Sequence, residues 1–145
     1  MDSQMHEQVI DKDEVISELQ GVGINPTLQR VEIARLLFAR PQHLSAEQVL
    51  EQVNHDGRHA VSKATVYNTL NLFARKGLVR EVIVDPSKVF YDSNTSEHHH
   101  FYHMDTGNLI DVAPGQLNVS ELPALPEGTE AVGVDVIIRL RSRGR

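Results

Sequence analysis

The sequence predicts an α+β fold with two modules, and three observations support this. Apolar residues recur at helical spacing in four segments before residue 77. After Gly77 the period becomes that of strands, with LVREVIV and KVFYD flanking the turn DPS. The polar stretch SNTSE then precedes a second hairpin, in which HHHFYHM and NLIDVA flank DTG. Helices followed by a two-stranded wing are typical of a winged-helix module, and the remainder predicts a small α/β module.

Each predicted helix begins at a residue type that caps helices. The third start is the clearest, because Ser45 and Gln48 have the spacing of a capping box. Gly77 follows the fourth helix as a C′ glycine. We also expect a short helix within APGQLNVSELPALPEGTE and a closing strand in VGVDVIIRL. The predicted N-terminal caps are Asp11 or Asp13, Thr27, Ser45 and Ser62.

The composition excludes several classes of protein. The 145 residues contain no cysteine, which excludes disulfides, thiolate zinc sites, iron–sulfur ligation and cysteine catalysis. The sequence has neither a basic-then-apolar leader nor an apolar run of membrane-spanning length, so we expect a cytoplasmic protein without membrane association. The net charge is −6, but residues 25–90 carry nine bases and six acids. This segment, which contains the predicted fourth helix and wing, therefore carries a small local positive charge, which is weak support for a DNA-binding module.

The fourth predicted helix has a polar face suited to nucleic acid. Val66, Leu70 and Phe73 share one face, which we expect to anchor the helix in the core. A solvated surface is the ordinary explanation for an opposite polar face. Here the capped helix before it and the wing after it favour reading of DNA in a major groove. The outward residues are Lys63, Ala64, Thr65, Tyr67, Asn68, Asn71 and Arg75.

Four histidines lie within SEHHHFYH. In a strand, His98 and His100 share one face, whereas His99 and His103 lie on the other. Two imidazoles at i and i+2 suit Zn, Fe, Mn or Ni, especially with carboxylates supplied from elsewhere. A polar, adventitiously metal-binding tract is the alternative. The predicted ligands are His43, Asp92, His98, His100 and Asp111.

This ligand set predicts a sensing mechanism. A metal held by both modules would fix the angle between them, and with it the spacing of two reading helices in a dimer. Binding would then shift a hinge equilibrium by its differential affinity for the DNA-competent state. We therefore predict a DNA-binding domain over 1–92, a hinge over 93–97 and a dimerisation and ligand-sensing domain over 98–145.

Several segments resemble one protein family. GINPTLQRVEIARLLF, HLSAEQVLEQV and SKATVYNTLNLFARKGLVRE resemble the DNA-binding half of the ferric uptake regulator (Fur) superfamily. The absence of cysteine, with DSNTSEHHHFY and LPEGTEAVGVDVIIRLRSR, is most similar to the iron response regulator (Irr) branch. The resemblance implies a homodimer on palindromic, AT-rich double-stranded DNA. It also implies that Tyr67 contacts base edges, that Arg30 and Lys63 hold phosphates, and that Asn68 or Asn71 reads sequence.

The resemblance extends to the ligand sites. The five predicted metal ligands match the regulatory site of Fur-like sensors, and Glu97 and His99 match part of a second site in some relatives. The Irr branch implies haem as a signal, with axial ligands among His98, His99 and His100. Many relatives hold a structural zinc on CxxC motifs, where this chain has HMDTG. We therefore expect the dimer to depend on sheet pairing and on apolar packing, with candidate residues Val134, Val136, Ile138 and Leu140.

These observations favour a ligand-gated transcription regulator over other classes. A metalloenzyme would need an open coordination position beside an acid or base, and no HExxH motif, nucleophile elbow or phosphate loop occurs. A passive metal or haem carrier would not need the ATVYNTLN helix. We expect the protein to sense iron status, as haem or as the metal, rather than peroxide, and the candidate divalent metals for the site are Fe, Mn and Zn. The sequence leaves open whether the ligand promotes or relieves DNA binding.

Overall fold

The computed structural model describes residues 11–55 and 60–144. The chain divides into two compact units between Thr95 and Ser96. Within the described ranges, no helix is long and apolar enough to cross a membrane.

The first unit contains four helices and a three-stranded sheet. Strand β3 lies at the centre of this sheet and runs antiparallel to both β1 and β2. Ser93, at the start of the predicted hinge, still belongs to this unit, because its backbone N–H donates to the carbonyl of Gln42 at 2.9 Å. The elements are α1 (Lys12–Gly21), α2 (Leu28–Phe38), β1 (His43–Ser45), α3 (Ala46–Val53), α4 (Lys63–Arg75), β2 (Arg80–Asp85) and β3 (Lys88–Asp92).

The helix starts lie where the sequence predicts them. Ser45 and Gln48 form the full capping box, with reciprocal hydrogen bonds of 3.2 and 2.8 Å. Gly77 follows α4 with a φ of 78°, which is the left-handed conformation that ends a helix at low cost. The side chains of Asp11, Thr27, Ser45 and Ser62 each accept a hydrogen bond from a backbone N–H in the first turn.

The core of the first unit is formed by the inner faces of the four helices. Val66, Leu70 and Phe73 of α4 are fully buried, as predicted. They orient α4 so that its opposite face stays exposed. The residues packed with them include Val15, Leu19, Val31, Ile33, Ala34, Leu37 and Val49.

The second unit contains one three-stranded sheet. Strand β4 (His100–His103) pairs antiparallel with β5 (Asn108–Asp111) and parallel with β6 (Ile137–Leu140). The predicted hairpin is therefore confirmed. Its turn ends at Gly107, whose φ is 76°.

Two predictions for the second unit are wrong. The stretch APGQLNVSELPALPEGTE contains no helix and is largely exposed. Its three prolines interrupt any helical run, because proline lacks the N–H and clashes with the preceding turn. The closing strand is also shorter than predicted. It begins at Ile137, so Val134 and Val136 lie outside it.

Candidate metal centre and nucleic-acid interface

Three predicted metal ligands converge within the second unit. His100 opens β4, Asp111 is its direct cross-strand partner on β5, and His98 lies two residues before the strand. The Nε2 atoms of His98 and His100 lie 3.6 and 3.3 Å from Oδ1 of Asp111. The two imidazole rings are 4.5 Å apart between centroids. His98 and His100 thus share a side, as the period-two pattern predicts.

The donor chemistry of this trio fits a divalent cation. Nδ1 of His98 lies 2.7 Å from the carbonyl oxygen of Ser96. A carbonyl can only accept, so Nδ1 carries a proton, and in the neutral form of the ring it is the Nε2 lone pair that faces the carboxylate of Asp111. Two electron-rich atoms that face each other are stabilised by a cation between them. Ligand atoms of the trio lie within 4.8 Å of one another. The hydrogen bond from Nδ1 of His98 to a backbone carbonyl is of the kind that orients metal-binding histidines.

The other two predicted ligands are brought together in the first unit. His43 opens β1 and Asp92 closes β3, and the two residues are cross-strand partners. Asp92 is 1% exposed, and its Oδ1 accepts a hydrogen bond from the N–H of Asn94 at 2.9 Å. The ring of His43 meets Phe90 edge-on, with 6.2 Å between centroids. One end of this sheet therefore carries both an imidazole and a carboxylate.

Glu97 and His99 have different surroundings. Nδ1 of His99 accepts a hydrogen bond from the backbone N–H of Val136 at 3.1 Å. The neutral ring consequently carries its proton on Nε2, which removes that lone pair from metal binding. Glu97 is exposed, and among the described residues neither side chain belongs to a group of three or more convergent metal-ligating side chains.

The predicted DNA-reading residues lie on the outer surface of α4. Lys63, Asn68 and Asn71 are exposed. Thr65 lies in the first turn, where its hydroxyl oxygen accepts a hydrogen bond from Ser62 at 3.0 Å. Oδ1 of Asn71 also lies at a long 3.5 Å from the hydroxyl of Tyr91. The helix therefore presents a row of polar groups to solvent.

Tyr67 makes a contact that sequence reasoning missed. Its hydroxyl donates a hydrogen bond to Oε2 of Glu47, in the first turn of α3, at 2.9 Å. This bond lowers the pKa of Glu47 and raises the pKa of Tyr67. The ammonium of Lys63 lies 6.0 Å from the centre of the tyrosine ring. The sequence signal was weak, because an acid in a first helical turn is ordinary dipole complementation.

Arg30 lies in the first turn of α2, where phosphate contact is predicted. Its guanidinium donates to the carbonyl oxygen of Asn25 at 2.9 Å, and its backbone N–H is capped by Thr27 at 3.3 Å. Arg30 thus places a guanidinium in the first turn of a helix, whose N-terminus favours anions.

Several known proteins are similar to this chain in sequence and in fold. Residues 21–138 match the ferric uptake regulator family. The peroxide-responsive repressor PerR of Staphylococcus aureus strain Mu50 is 33% identical over 109 residues, which span 75% of this chain and 73% of the relative. The structure of the ferric uptake regulator from Pseudomonas aeruginosa with manganese has a TM-score of 0.62 at 26% identity, and covers 88% of this chain and 97% of that one. The Vibrio cholerae ferric uptake regulator has a TM-score of 0.66 at 20% identity, with coverages of 88% and 98%.

These likenesses confirm the predicted α+β class with an N-terminal DNA-binding domain and a small C-terminal α/β domain. The family match covers most of the chain, and the identity to PerR extends over three quarters of it. The chain therefore belongs to the ferric uptake regulator family, whose members are metal-responsive transcription regulators.

Proposed function

We propose that this protein is a homodimeric regulator whose binding to operator DNA is gated by a divalent metal ion. The observation that carries the proposal is the convergence of the Nε2 atoms of His98 and His100 on Oδ1 of Asp111. Two imidazoles and a carboxylate form a donor set that Fe, Mn and Zn accept. Manganese in the Pseudomonas aeruginosa relative makes Mn²⁺ a suitable first probe.

We propose that His43 and Asp92 complete the ligand set. They are cross-strand partners on β1 and β3, so both lie at the same end of the sheet. An ion with ligands from both domains would favour one conformation of the hinge over 93–97. The DNA-binding domain over 1–92 would then be held at a set angle to the sensing domain over 98–145. Metal binding can shift the equilibrium between two hinge conformations only by the difference between its affinities for them. The ligands must therefore be close enough to share one ion in only one of the two conformations.

A second copy of the chain is proposed to cover the outer face of the second unit. Phe101 of β4 is in register with Ile110 of β5 and Ile138 of β6, so these side chains form one apolar row. Ile110 and Ile138 are 46% and 36% exposed. Burial of this row in a homodimer would relate the two copies of α4, the reading helix, by a two-fold axis. Such symmetry would explain a palindromic operator.

The DNA contacts are proposed to come from α4 and the start of α2. The polar surface of α4 supplies hydrogen-bonding groups of the kind that contact base edges. The cationic side chains of Arg30 and Lys63 would contact phosphates. An AT-rich operator is expected from the family resemblance. The proposed contact residues are Arg30, Lys63, Thr65, Tyr67, Asn68 and Asn71.

Peroxide sensing is a second candidate, supported by the 33% identity to the peroxide-responsive repressor of Staphylococcus aureus. In that case hydrogen peroxide would add one oxygen atom to a ring carbon of His98 or His100 and be reduced to water. A mass increase of one oxygen on either histidine, after peroxide treatment of the Fe(II)-loaded protein, would favour this candidate. If the mass of both histidines is unchanged after this treatment, metal sensing without peroxide sensing is favoured.

Haem sensing and membership of the Irr branch stay predictions. The contacts of the histidine run favour a metal ion instead, since His100 is fully buried and Nδ1 of His99 is occupied by Val136. Axial ligation of a haem would require both residues to rearrange.

The experiment measures Mn²⁺ affinity by calorimetry and DNA binding by selection from a randomised double-stranded library. We expect His98→Ala and Asp111→Ala to lower Mn²⁺ affinity by more than the roughly 10- to 100-fold that loss of an outer-shell partner costs. His103→Ala is the matched control, because His103 is on the same strand but its Nε2 contacts Ser142 at 3.3 Å.

Two results would contradict the proposal. One is that His98→Ala binds Mn²⁺ as tightly as the wild type does. The other is that the wild type selects no DNA sequence either with Mn²⁺, Zn²⁺ or Fe²⁺ or after treatment with a chelator.

A further inference from the structure

Glu47 places a carboxylate beside the DNA-reading helix. It is exposed in the first turn of α3, and it accepts the hydroxyl hydrogen of Tyr67 at 2.9 Å. A negative charge on this surface repels phosphates and lowers non-specific affinity for DNA. Any benefit of Glu47 for DNA recognition must therefore come from its hydrogen bond to Tyr67.

The hydrogen bond determines what the tyrosine oxygen offers to DNA. A phenol has one proton to donate and lone pairs with which to accept, whereas an ionised carboxylate only accepts. The hydroxyl proton of Tyr67 is therefore already donated in the hydrogen bond to Glu47. The mutual pKa shifts act in the same direction, since the pKa of Glu47 is lowered and that of Tyr67 is raised. At neutral pH the carboxylate stays ionised and the phenol stays protonated, so the oxygen faces DNA with lone pairs alone.

We propose that Glu47 makes Tyr67 an acceptor-only reader of base edges, and that this pair disfavours guanine at the position that Tyr67 contacts. The inference rests on the proposed DNA-binding function. In the major groove guanine presents only acceptors, O6 and N7, whereas adenine and cytosine each present an amino donor and thymine presents an apolar methyl group beside its O4 acceptor. An acceptor oxygen next to guanine O6 would leave both groups unpaired, which is costly once water is excluded.

The test is selection from a randomised double-stranded DNA library by the metal-loaded full-length protein and its variants. Tyr67→Phe identifies the contacted position, as the one whose base preference changes. At that position we expect Glu47→Ala to raise the frequency of guanine about fivefold relative to the wild type, the factor that one neutral hydrogen bond is worth. Glu47→Gln keeps an acceptor oxygen without the charge, and should retain the discrimination against guanine.

Glu51→Ala is the matched control for charge. Glu51 is another exposed acid of α3, so its removal should raise overall DNA affinity without changing the base preference. If the wild type selects an operator but Glu47→Ala leaves the Tyr67-dependent position unchanged, the inference is wrong and the proposed function stands. If Tyr67→Phe alters no position, the inference is equally wrong. Failure of the wild type to select any sequence contradicts the proposed function itself.

Discussion

Asn54 joins the end of α3 to the residues that lead into the reading helix. Its Nδ2 donates to the carbonyl oxygen of Val61 at 2.9 Å, and its Oδ1 accepts from the N–H of Val61 at 2.7 Å. One side chain thus satisfies both backbone groups of a residue whose exposure is only 4%. Ser62, the N-cap of α4, comes next in the chain. The asparagine therefore determines where the reading helix begins relative to α3.

Asn54→Ala should lower the free energy of unfolding by about 2 to 4 kcal/mol. The two lost hydrogen bonds account for roughly 1 kcal/mol each, and each backbone group of Val61 left without a partner adds a desolvation cost between zero and the low end of the about 1 to 3 kcal/mol that applies to a fully buried group. The upper part of that range does not apply, because the contact is only partly buried and water reaches some of these groups. Since small proteins are stable by roughly 5 to 15 kcal/mol, the loss is measurable without abolishing folding.

Urea unfolding followed by circular dichroism measures this change. Asn54→Asp keeps the acceptor for the N–H of Val61 but sets a carboxylate oxygen against its carbonyl oxygen, so it should not recover the stability that the alanine variant loses. Asn68→Ala is the control, because this exposed asparagine of α4 should change stability by no more than about 0.5 kcal/mol. A loss below about 0.5 kcal/mol for Asn54→Ala would refute the reasoning, since it would mean that the two bonds contribute nothing net.

Three further predictions follow from single contacts. His99→Ala should cost about 1 kcal/mol by removing the bond to Val136 but leave Mn²⁺ affinity unchanged in calorimetry, and weaker Mn²⁺ binding would instead make His99 a ligand. Ser45→Ala should destabilise the protein by about 1 kcal/mol in urea unfolding through loss of the helix cap, and an unchanged midpoint would contradict this. The backbone N–H of Ser142 lowers the pKa of Asp105, so its contribution to stability is present above the ordinary carboxyl pKa and is lost as the pH falls through the lowered value. Asp105→Asn should therefore weaken the dependence of the unfolding midpoint on pH in the acid range, which an unchanged dependence would disprove.

Features that depend on neighbouring residues were predictable from the sequence. Thr27, Ser45 and Ser62 cap their helices through bonds to residues within the following turn, so the pattern alone carries the information. The turn before β5 likewise requires a left-handed residue, which Gly107 supplies. His98 and His100 share a side as the alternation predicts, although β4 begins only at His100.

Features that depend on distant residues were not predictable. Strand β1 has three residues and exists because it pairs with β3, which comes much later in the chain. No local signal distinguishes it from the loop before a capped helix. The contact between Glu47 and Tyr67 spans 20 residues and depends on how α3 packs against α4. Helical periodicity shows which side of each helix is buried, but it does not show which outward side chains meet.

The second unit shows why alternation alone overestimates a strand. Val134 and Val136 continue the pattern of Ile138, yet the strand begins at Ile137, and the N–H of Val136 donates to the ring of His99. The alternating residues are also only partly buried within one chain. A sheet of this size buries few apolar side chains, and units of about 50 residues are marginal on their own. The apolar pattern of β6 therefore supports the proposal that a second copy of the chain covers this face of the sheet.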